Sequence, residues 1–302
     1  MILPTTITAG DQEQEVLMDV ASDSPPLTIE EMIDKINKFP SLSHNTLNII
    51  LSIDEEHSTL SDLTKKIESD AEMVEVVLKQ VNSAHYNIKG GVSSIDPAIM
   101  LLGFNTIRNL ACLGSIVNYY RSHSRRGYDL KRLMRHSIMV GCCAKVVAKR
   151  SGLNSDIAFV VGLLHDIGQF VIAVSLPNEL ARIVDYKDEH GCYASDAEKA
   201  ILGIDHAKIG EYLAKKWHFP KVIFEPIGNH HNIFGSGPSL MSDTIHVADV
   251  LGHALQSGNT DPIPSLSSLS MKRLALSFHD LSPYFEKIEN EYFDMCYSMG
   301  FN

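Results

Sequence analysis

Cysteine, positive charge and long apolar runs are all scarce in this sequence. Five cysteines are spread over 302 residues, an odd number, with Cys142 and Cys143 adjacent. That pattern excludes a paired disulfide framework and a paired CxxC zinc site, and its expected setting is a reducing cytoplasm. Lys and Arg number 26 against 37 Asp and Glu, a net charge of −11. Such a balance offers no overall field for nonspecific nucleic-acid binding, which depends on neutralising phosphates. No apolar run approaches the roughly 18 residues of a spanning helix, and Ile157–Leu164 is among the longest. No basic segment precedes an apolar stretch at the N-terminus, so neither a secretory signal nor a membrane partner is expected. Hairpin dipeptides between alternating apolar runs are missing, as are internal repeats and low-complexity blocks.

What is present reads as a globular, helical chain. Hydrophobic residues make up 44% and charged residues 21%, and the length suffices for two ordinary domains. Apolar positions such as Ile67, Val74, Val77, Leu78 and Val81 are spaced by three, four and seven rather than two. Thr28 with Glu31 and Ser195 with Glu198 have the spacing of capping boxes, and Asp70, Asn154 and Asp205 stand where N-caps belong. Gly103 and Gly152 follow apolar helices as residues that end them. The expected fold is all-α, with two packed helical lobes. Residues 1–27, with five acids and no Lys or Arg, form an acidic extension, either a loosely attached terminus or a docking tail. The first lobe spans 28–125 and the second 126–260, separated at the polar stretch RSHSRRGYD (121–129). A C-terminal helical extension covers 261–302 after the break NTDPIPSL (259–266).

Chemistry concentrates in the second lobe. His136 lies mid-helix in KRLMRHSIMV, and His165–Asp166 ends the apolar helix DIAFVVGLL. His206 follows Asp205 at a helix start, His230–His231 is an adjacent pair, and Asp249 sits in HVADVL. Neutral imidazoles and carboxylates together suit Fe, Mn, Ni or Zn. Two ions held close together need a bridging carboxylate and several terminal imidazoles. Asp166 is the natural bridge, because it and His165 differ by about 100° around a helix. The competing reading is ordinary: a single histidine on a helix is more often a surface or satisfied core residue.

Several motifs together resemble a known family. GLLHDIGQ (162–169) is similar to the motif that names the HD superfamily of metal-dependent phosphohydrolases. FPSL (39–42), VNSAHY (81–86), SIDPAIMLLGFNTIRNL (94–110), LGIDHAKIGEYLAKKWHFP (202–220) and GNHH (228–231) resemble, in order, the HDOD (HD-related output domain) family. The resemblance implies that His136, His165, Asp166, His206, His230, His231 and Asp249 are ligands of one or two divalent transition-metal ions. It also implies a signalling module, since many HDOD proteins have lost these ligands and serve as output domains; its partner would be a signalling protein or a nucleotide-like ligand. The retained ligand series keeps a second reading open, a phosphohydrolase or phosphodiesterase acting through Asp166 and its metal. Against that reading, Gln169 replaces the Lys that follows HDIG in HD-GYP phosphodiesterases, no Gly-Tyr-Pro loop follows the histidines, and position 132 is Arg rather than Glu. Without that lysine a developing phosphoryl charge is less well stabilised.

A basic run leads into His136. Arg121, Arg125, Arg126, Lys131, Arg132 and Arg135 face a single acid, Asp129. It reads either as a phosphate funnel, with Arg132 and Arg135 as the phosphate-binding residues, or as a solvated helix start. Trp217, Met134 and Met139 read as core, and Asn82 as a helix terminator.

Overall fold

The computed structural model describes residues 28–51, 60–82, 88–123, 129–232, 239–256 and 263–301. The acidic extension, Ser83, His85, Tyr86, Arg125, Arg126 and the break at 259–262 lie outside the described residues. Among the described residues every regular element is a helix and no strand occurs. The order begins α1 (Ile29–Asn37), α2 (His44–Leu51), α3 (Leu60–Glu68), α4 (Ala71–Val81), α5 (Ile95–Leu102) and α6 (Phe104–His123). It continues through α7 (Leu130–Arg150), α8 (Ser155–Leu164), α9 (Ile167–Ser175), α10 (Pro177–His190), α11 (Ala194–Leu202), α12 (His206–Lys216), α13 (Lys221–Asn229) and α14 (Leu240–Leu255). Last come α15 (Ser268–Arg273), α16 (Phe278–Leu281), a short 3-10 turn (Ser282–Tyr284) and α17 (Phe285–Ser298).

Local signals set most of these ends. Thr28 and Glu31 form a reciprocal capping box, and the Asn154 and Asp205 side chains accept from the first amides of α8 and α12. Asp70 accepts from the Met73 amide in the same way. Gly103 and Gly152 have φ of +83° and +71°, which few residues but glycine adopt after a helix. The Asn82 amide donates to the carbonyls of Leu78 and Val92, closing α4 onto the next segment. The Ser195–Glu198 box does not form. Helix α11 starts at Ala194, its N-cap Tyr193 makes no side-chain cap, and Glu198 turns to His206 instead.

Helices α2 to α5 pack around α6, and α7, α8, α9, α12, α13 and α14 pack on one another around the histidines. An aromatic cluster lies where these helices meet. Phe39 and Phe170 rings stand edge to face at 5.8 Å, as do Tyr119 and Trp217 at 5.7 Å, and the Tyr119 hydroxyl donates to the Pro40 carbonyl. Trp217, Met134 and Met139 are core residues, as their sequence context suggested. The C-terminal helices fold back on α7 and α14. Lys145 pairs with Glu291 at 2.5 Å, Arg273 clasps Asp243 with its Nε at 2.6 Å, and Arg121 donates to the Met299 carbonyl.

The stretch Ser155–Ser175 is longer and more apolar than the sequence reading allowed, enough by composition to cross a membrane. It is instead the centre of the fold, with 89% of its most apolar 18-residue window buried, and it is interrupted at His165–Asp166. Glycine permits the crossings there. A Cβ on Gly162 would lie 2.8 Å from the Gly141 Cα, so α8 and α7 touch backbone to backbone. One on Gly168 would collide with the His206 carbonyl, so only glycine lets α9 begin against the start of α12. These two contacts bring His136, His165, Asp166 and His206 to one place.

Candidate metal centre

Five helix segments converge on the site, each presenting its donors from a fixed point. His136 comes from the middle of α7, and His165–Asp166 from the break between α8 and α9. His206 opens α12, His230–His231 follows α13, and Asp249 faces inward from α14. All seven residues singled out in the sequence therefore meet. His165 and Asp166 do so as the joint between two helices rather than as neighbours on one, with Asp166 at φ −98°, ψ 16°.

The carboxylates organise the donors. Asp166 Oδ1 lies 3.1 Å from His206 Nε2 and 3.8 Å from His230 Nε2, while Oδ2 lies 3.4 Å from His165 Nε2. Gln169 Nε2 donates to Oδ2 at 3.0 Å, so the residue standing in place of a lysine steadies this carboxylate. Asp249 Oδ1 lies 3.0 Å from His136 Nε2, 3.7 Å from His165 Nε2 and 3.5 Å from His253 Nε2. His231 Nε2 sits 2.9 Å from His206 Nε2. Three donor sets result, each with its ligand atoms within 4.8 Å of one another: His206–His230–His231, His136–His165–Asp166 and His136–Asp249–His253.

Second contacts fix which ring nitrogen faces inward. His165 Nδ1–H donates to the Gly162 carbonyl at 2.8 Å, and His230 Nδ1–H to the Ile227 carbonyl at 2.7 Å. His206 Nδ1 meets the Glu198 carboxylate at 2.6 Å, and Glu198 also accepts from the His206 amide. Each Nε2 is thereby turned into the site, the arrangement expected of imidazole ligands. The Nε2 atoms of His165 and His230 are buried yet have no hydrogen-bond partner. A buried polar atom left so is costly. Soft-to-borderline nitrogen donors beside two carboxylates are what a divalent first-row metal takes, so the residues present fit such an ion.

Electrostatics follow from this crowding. Burial works to raise the Asp166 carboxyl, but His165 and His206 outweigh it and hold it well below the carboxylate range. Asp249 is likewise lowered against its burial, chiefly by His136. Burial disfavours the charged form of His206, yet Glu198 and Asp166 on either side raise it well above the ordinary histidine value. His230 goes the other way: burial, reinforced by His165 and His206, pushes it down to about 4.

Above the donors opens a cavity of about 810 Å³, large enough for a small organic ligand. Arg132, one turn before His136, lines it. Arg135 does not: its Nε donates to the Tyr292 hydroxyl at 2.9 Å and its guanidinium lies over that ring. Arg121 is engaged by Met299 and Phe301, so of the described arginines in the basic run only Arg132 reaches the cavity. Four groups here carry no plain functional signal in the sequence. Glu198 has the spacing of a cap. His253 stands one turn after Asp249, a spacing that could have revealed it. Lys187 and Lys199 line the cavity from α10 and α11, Lys199 with its ammonium 3.2 Å from Asp205 Oδ2, and nothing in the sequence distinguishes them from surface lysines.

An all-helical core broken at a His-Asp step, with further imidazoles brought in by neighbouring helices, defines a protein of the HD superfamily. The HDOD domain family matches residues 39–233, well over half the chain, and the chain belongs to that family. It is 26% identical over 235 residues to an uncharacterized protein of Treponema pallidum (strain Nichols), covering 77% of this chain and 43% of that one. It is 28% identical over 160 residues to a ribonuclease Y of Thermus thermophilus, covering 52% of this chain and 23% of the enzyme. The chain thus spans less than half the length of these curated relatives. Its fold is similar to that of an HDOD domain protein from Geobacter sulfurreducens, with a TM-score of 0.77 at 22% identity, covering 89% and 96% of the two chains.

Proposed function

We propose that this chain is an HDOD signalling module that holds one or two divalent metal ions and uses them to bind a phosphate-bearing ligand. The observation that carries the reading is that the buried Nε2 atoms of His165 and His230, fixed by their Nδ1 contacts, face carboxylates yet make no hydrogen bond. His206, His230 and His231 with Asp166 would hold one ion, and His136, His165, Asp249 and His253 a second, with Asp166 between the two groups. A bound ion supplies Lewis acidity toward a phosphoryl oxygen. Arg132, Lys187 and Lys199 then add positive charge along the cavity wall. Residues 28–125 and 126–260 would act as two lobes, the first presenting the output surface and the second the metal.

A second reading, a metal-dependent phosphohydrolase or phosphodiesterase, is favoured by one observation: the donors line an open cavity rather than a sealed one. The likeness to ribonuclease Y, over a fraction of that enzyme, points the same way. Gln169 carries no charge to stabilise a phosphoryl transition state, so hydrolysis of cyclic di-GMP is expected to be slow. Elemental analysis of purified protein, followed by a phosphodiester screen on manganese- and iron-loaded samples, separates the readings. Metal with turnover below about 1 s⁻¹ supports the module, faster turnover supports the enzyme, and a metal-free protein that resists reconstitution defeats both.

A further inference from the structure

The cavity has a floor and a wall of different chemistry. Its floor is the buried His and Asp cluster. Its wall carries a set of apolar side chains among polar ones: Leu180, Ile183 and Val184 of α10, Tyr193 ahead of α11, Leu266 before α15 and Leu269 within it, beside Lys187, Asp196 and Ser265. Among the described residues eleven large hydrophobic side chains are exposed, and four of them, Val184, Tyr193, Leu266 and Leu269, belong to this lining. Exposed apolar residues scattered singly need no explanation, whereas a cluster around one concave opening marks a binding surface. The segments that supply them are far apart in the chain, so no single helix pattern accounts for the cluster. One further polar group faces the same space. His246 is 7% exposed and lines the cavity, its Nδ1 meeting the His230 carbonyl at 3.2 Å and the Ser265 backbone lying beside its ring.

An apolar organic group would remove the exposed Val184, Tyr193, Leu266 and Leu269 side chains from water, a gain that a sugar or polyol in the same place does not give. We propose that the ligand is a phosphate monoester of an apolar alcohol, alkyl or aryl. Its phosphate sits over the metal-facing floor beside Arg132, and its organic group covers Val184, Tyr193, Leu266 and Leu269. This assignment rests on the metal-and-phosphate reading of the floor. It adds that selectivity resides in the organic group, because the floor alone treats all phosphate monoesters alike.

The test is calorimetric titration of the manganese-loaded full chain with four probes, all below micellar concentration: inorganic phosphate, glycerol phosphate, hexyl phosphate and phenyl phosphate. Hexyl or phenyl phosphate is expected to bind about tenfold or more tighter than glycerol phosphate, and the better of the two identifies the group as alkyl or aryl. In the double variant Val184→Ser, Leu266→Ser that ratio is expected to shrink to about threefold. Leu269→Ser, an exposed position, provides a second variant should the first be unstable. Binding of inorganic phosphate with all four probes of equal affinity overturns this inference and leaves the reading of the floor standing. No binding of inorganic phosphate to metal-loaded protein overturns both. An unchanged ratio in both variants also overturns it, because the selectivity would then arise elsewhere.

Discussion

Asp166 and Asp249 are buried to nearly the same degree, 5% and 4% exposed, yet they are held by different means. Asp166 occupies a helix joint, receives the Gln169 amide, and faces imidazoles that are themselves braced: His206 by Glu198, His165 by the Gly162 carbonyl, His230 by the Ile227 carbonyl. Asp249 sits inside α14, bonds His136, and shares its helix with His253, whose side chain is 20% exposed. One carboxylate thus faces donors held from behind by Glu198 and two backbone carbonyls, and the other faces His136 and the partly exposed His253. The difference teaches that a donor set is defined as much by what fixes its rings as by its ligands.

The largest effect expected from this contrast is on metal content. Asp166 faces both donor groups, so Asp166→Ala should leave the chain without tightly held metal. Asp249→Ala should retain the ion of the His206–His230–His231 group. Elemental analysis after gel filtration, with a thermal melt to confirm folding, reads the two variants side by side. Equal losses, or the reverse ranking, would break the comparison.

Next in size is the bracing itself. Glu198→Gln keeps shape but removes the charge that orients His206, and such partners are worth on the order of 10–100-fold in metal affinity. His253→Ala removes a partly exposed donor of the Asp249 group and should cost less, about tenfold or below. Competition against a fluorescent chelator measures both. A larger loss in His253→Ala would place the tighter ion on the Asp249 side.

Why Glu198 escaped the sequence while His165 did not is a matter of range. The clustered His and Asp donors were readable because the His-Asp step and the paired histidines stand in fixed order along the chain, and the capping residues Thr28, Asn154 and Asp205 because a cap acts within three residues. Glu198 and Ser195 have the spacing of a local cap, but the buried His206 eight residues on is a stronger partner for a carboxylate than an exposed amide. Lys187, Lys199 and the apolar lining were invisible for the same reason: α10 and α11 bring them to the cavity only through tertiary packing. Arg135 shows the converse, a residue with a suggestive neighbour in sequence whose partner, Tyr292, lies 157 residues away.

The contrast also has a pH signature in metal-stripped protein. His230 is pushed down to about 4 in the folded chain, against about 6.5 when unfolded. Between those values the unfolded chain binds a proton that the folded chain refuses, so stability falls as pH drops from about 6.5 to 4. The lowered carboxyls of Asp166 and Asp249 act with the same sign at still lower pH. His206, raised by Glu198 and Asp166 against its burial, acts oppositely: its contribution is complete below about 6.5 and is lost as pH rises through its folded value. A melting temperature that declines on acidification from pH 6.5, with a shallower decline in His230→Gln, is the expected result. A flat profile would mean that His230 is not confined as described.

The smallest expected effect separates two arginines on α7. Arg132 lies one turn before His136 and lines the cavity, while Arg135 is turned about 100° aside and is occupied by Tyr292 of α17. If positive charge on the wall steadies a bound phosphate, Arg132→Ala should weaken inorganic phosphate several-fold in metal-loaded protein. The loss should diminish as salt rises, because exposed charges are screened over about 8–10 Å at physiological ionic strength. Arg135→Ala should leave phosphate binding within about twofold and instead lower stability by about 1 kcal/mol or less, the worth of one hydrogen bond near the surface. Calorimetry at two salt concentrations, paired with denaturant unfolding, resolves the two. Equal phosphate affinities in both variants would remove Arg132 from the site and make the start of α7 a solvated helix turn, leaving Lys187 and Lys199 as the cations that face the ligand.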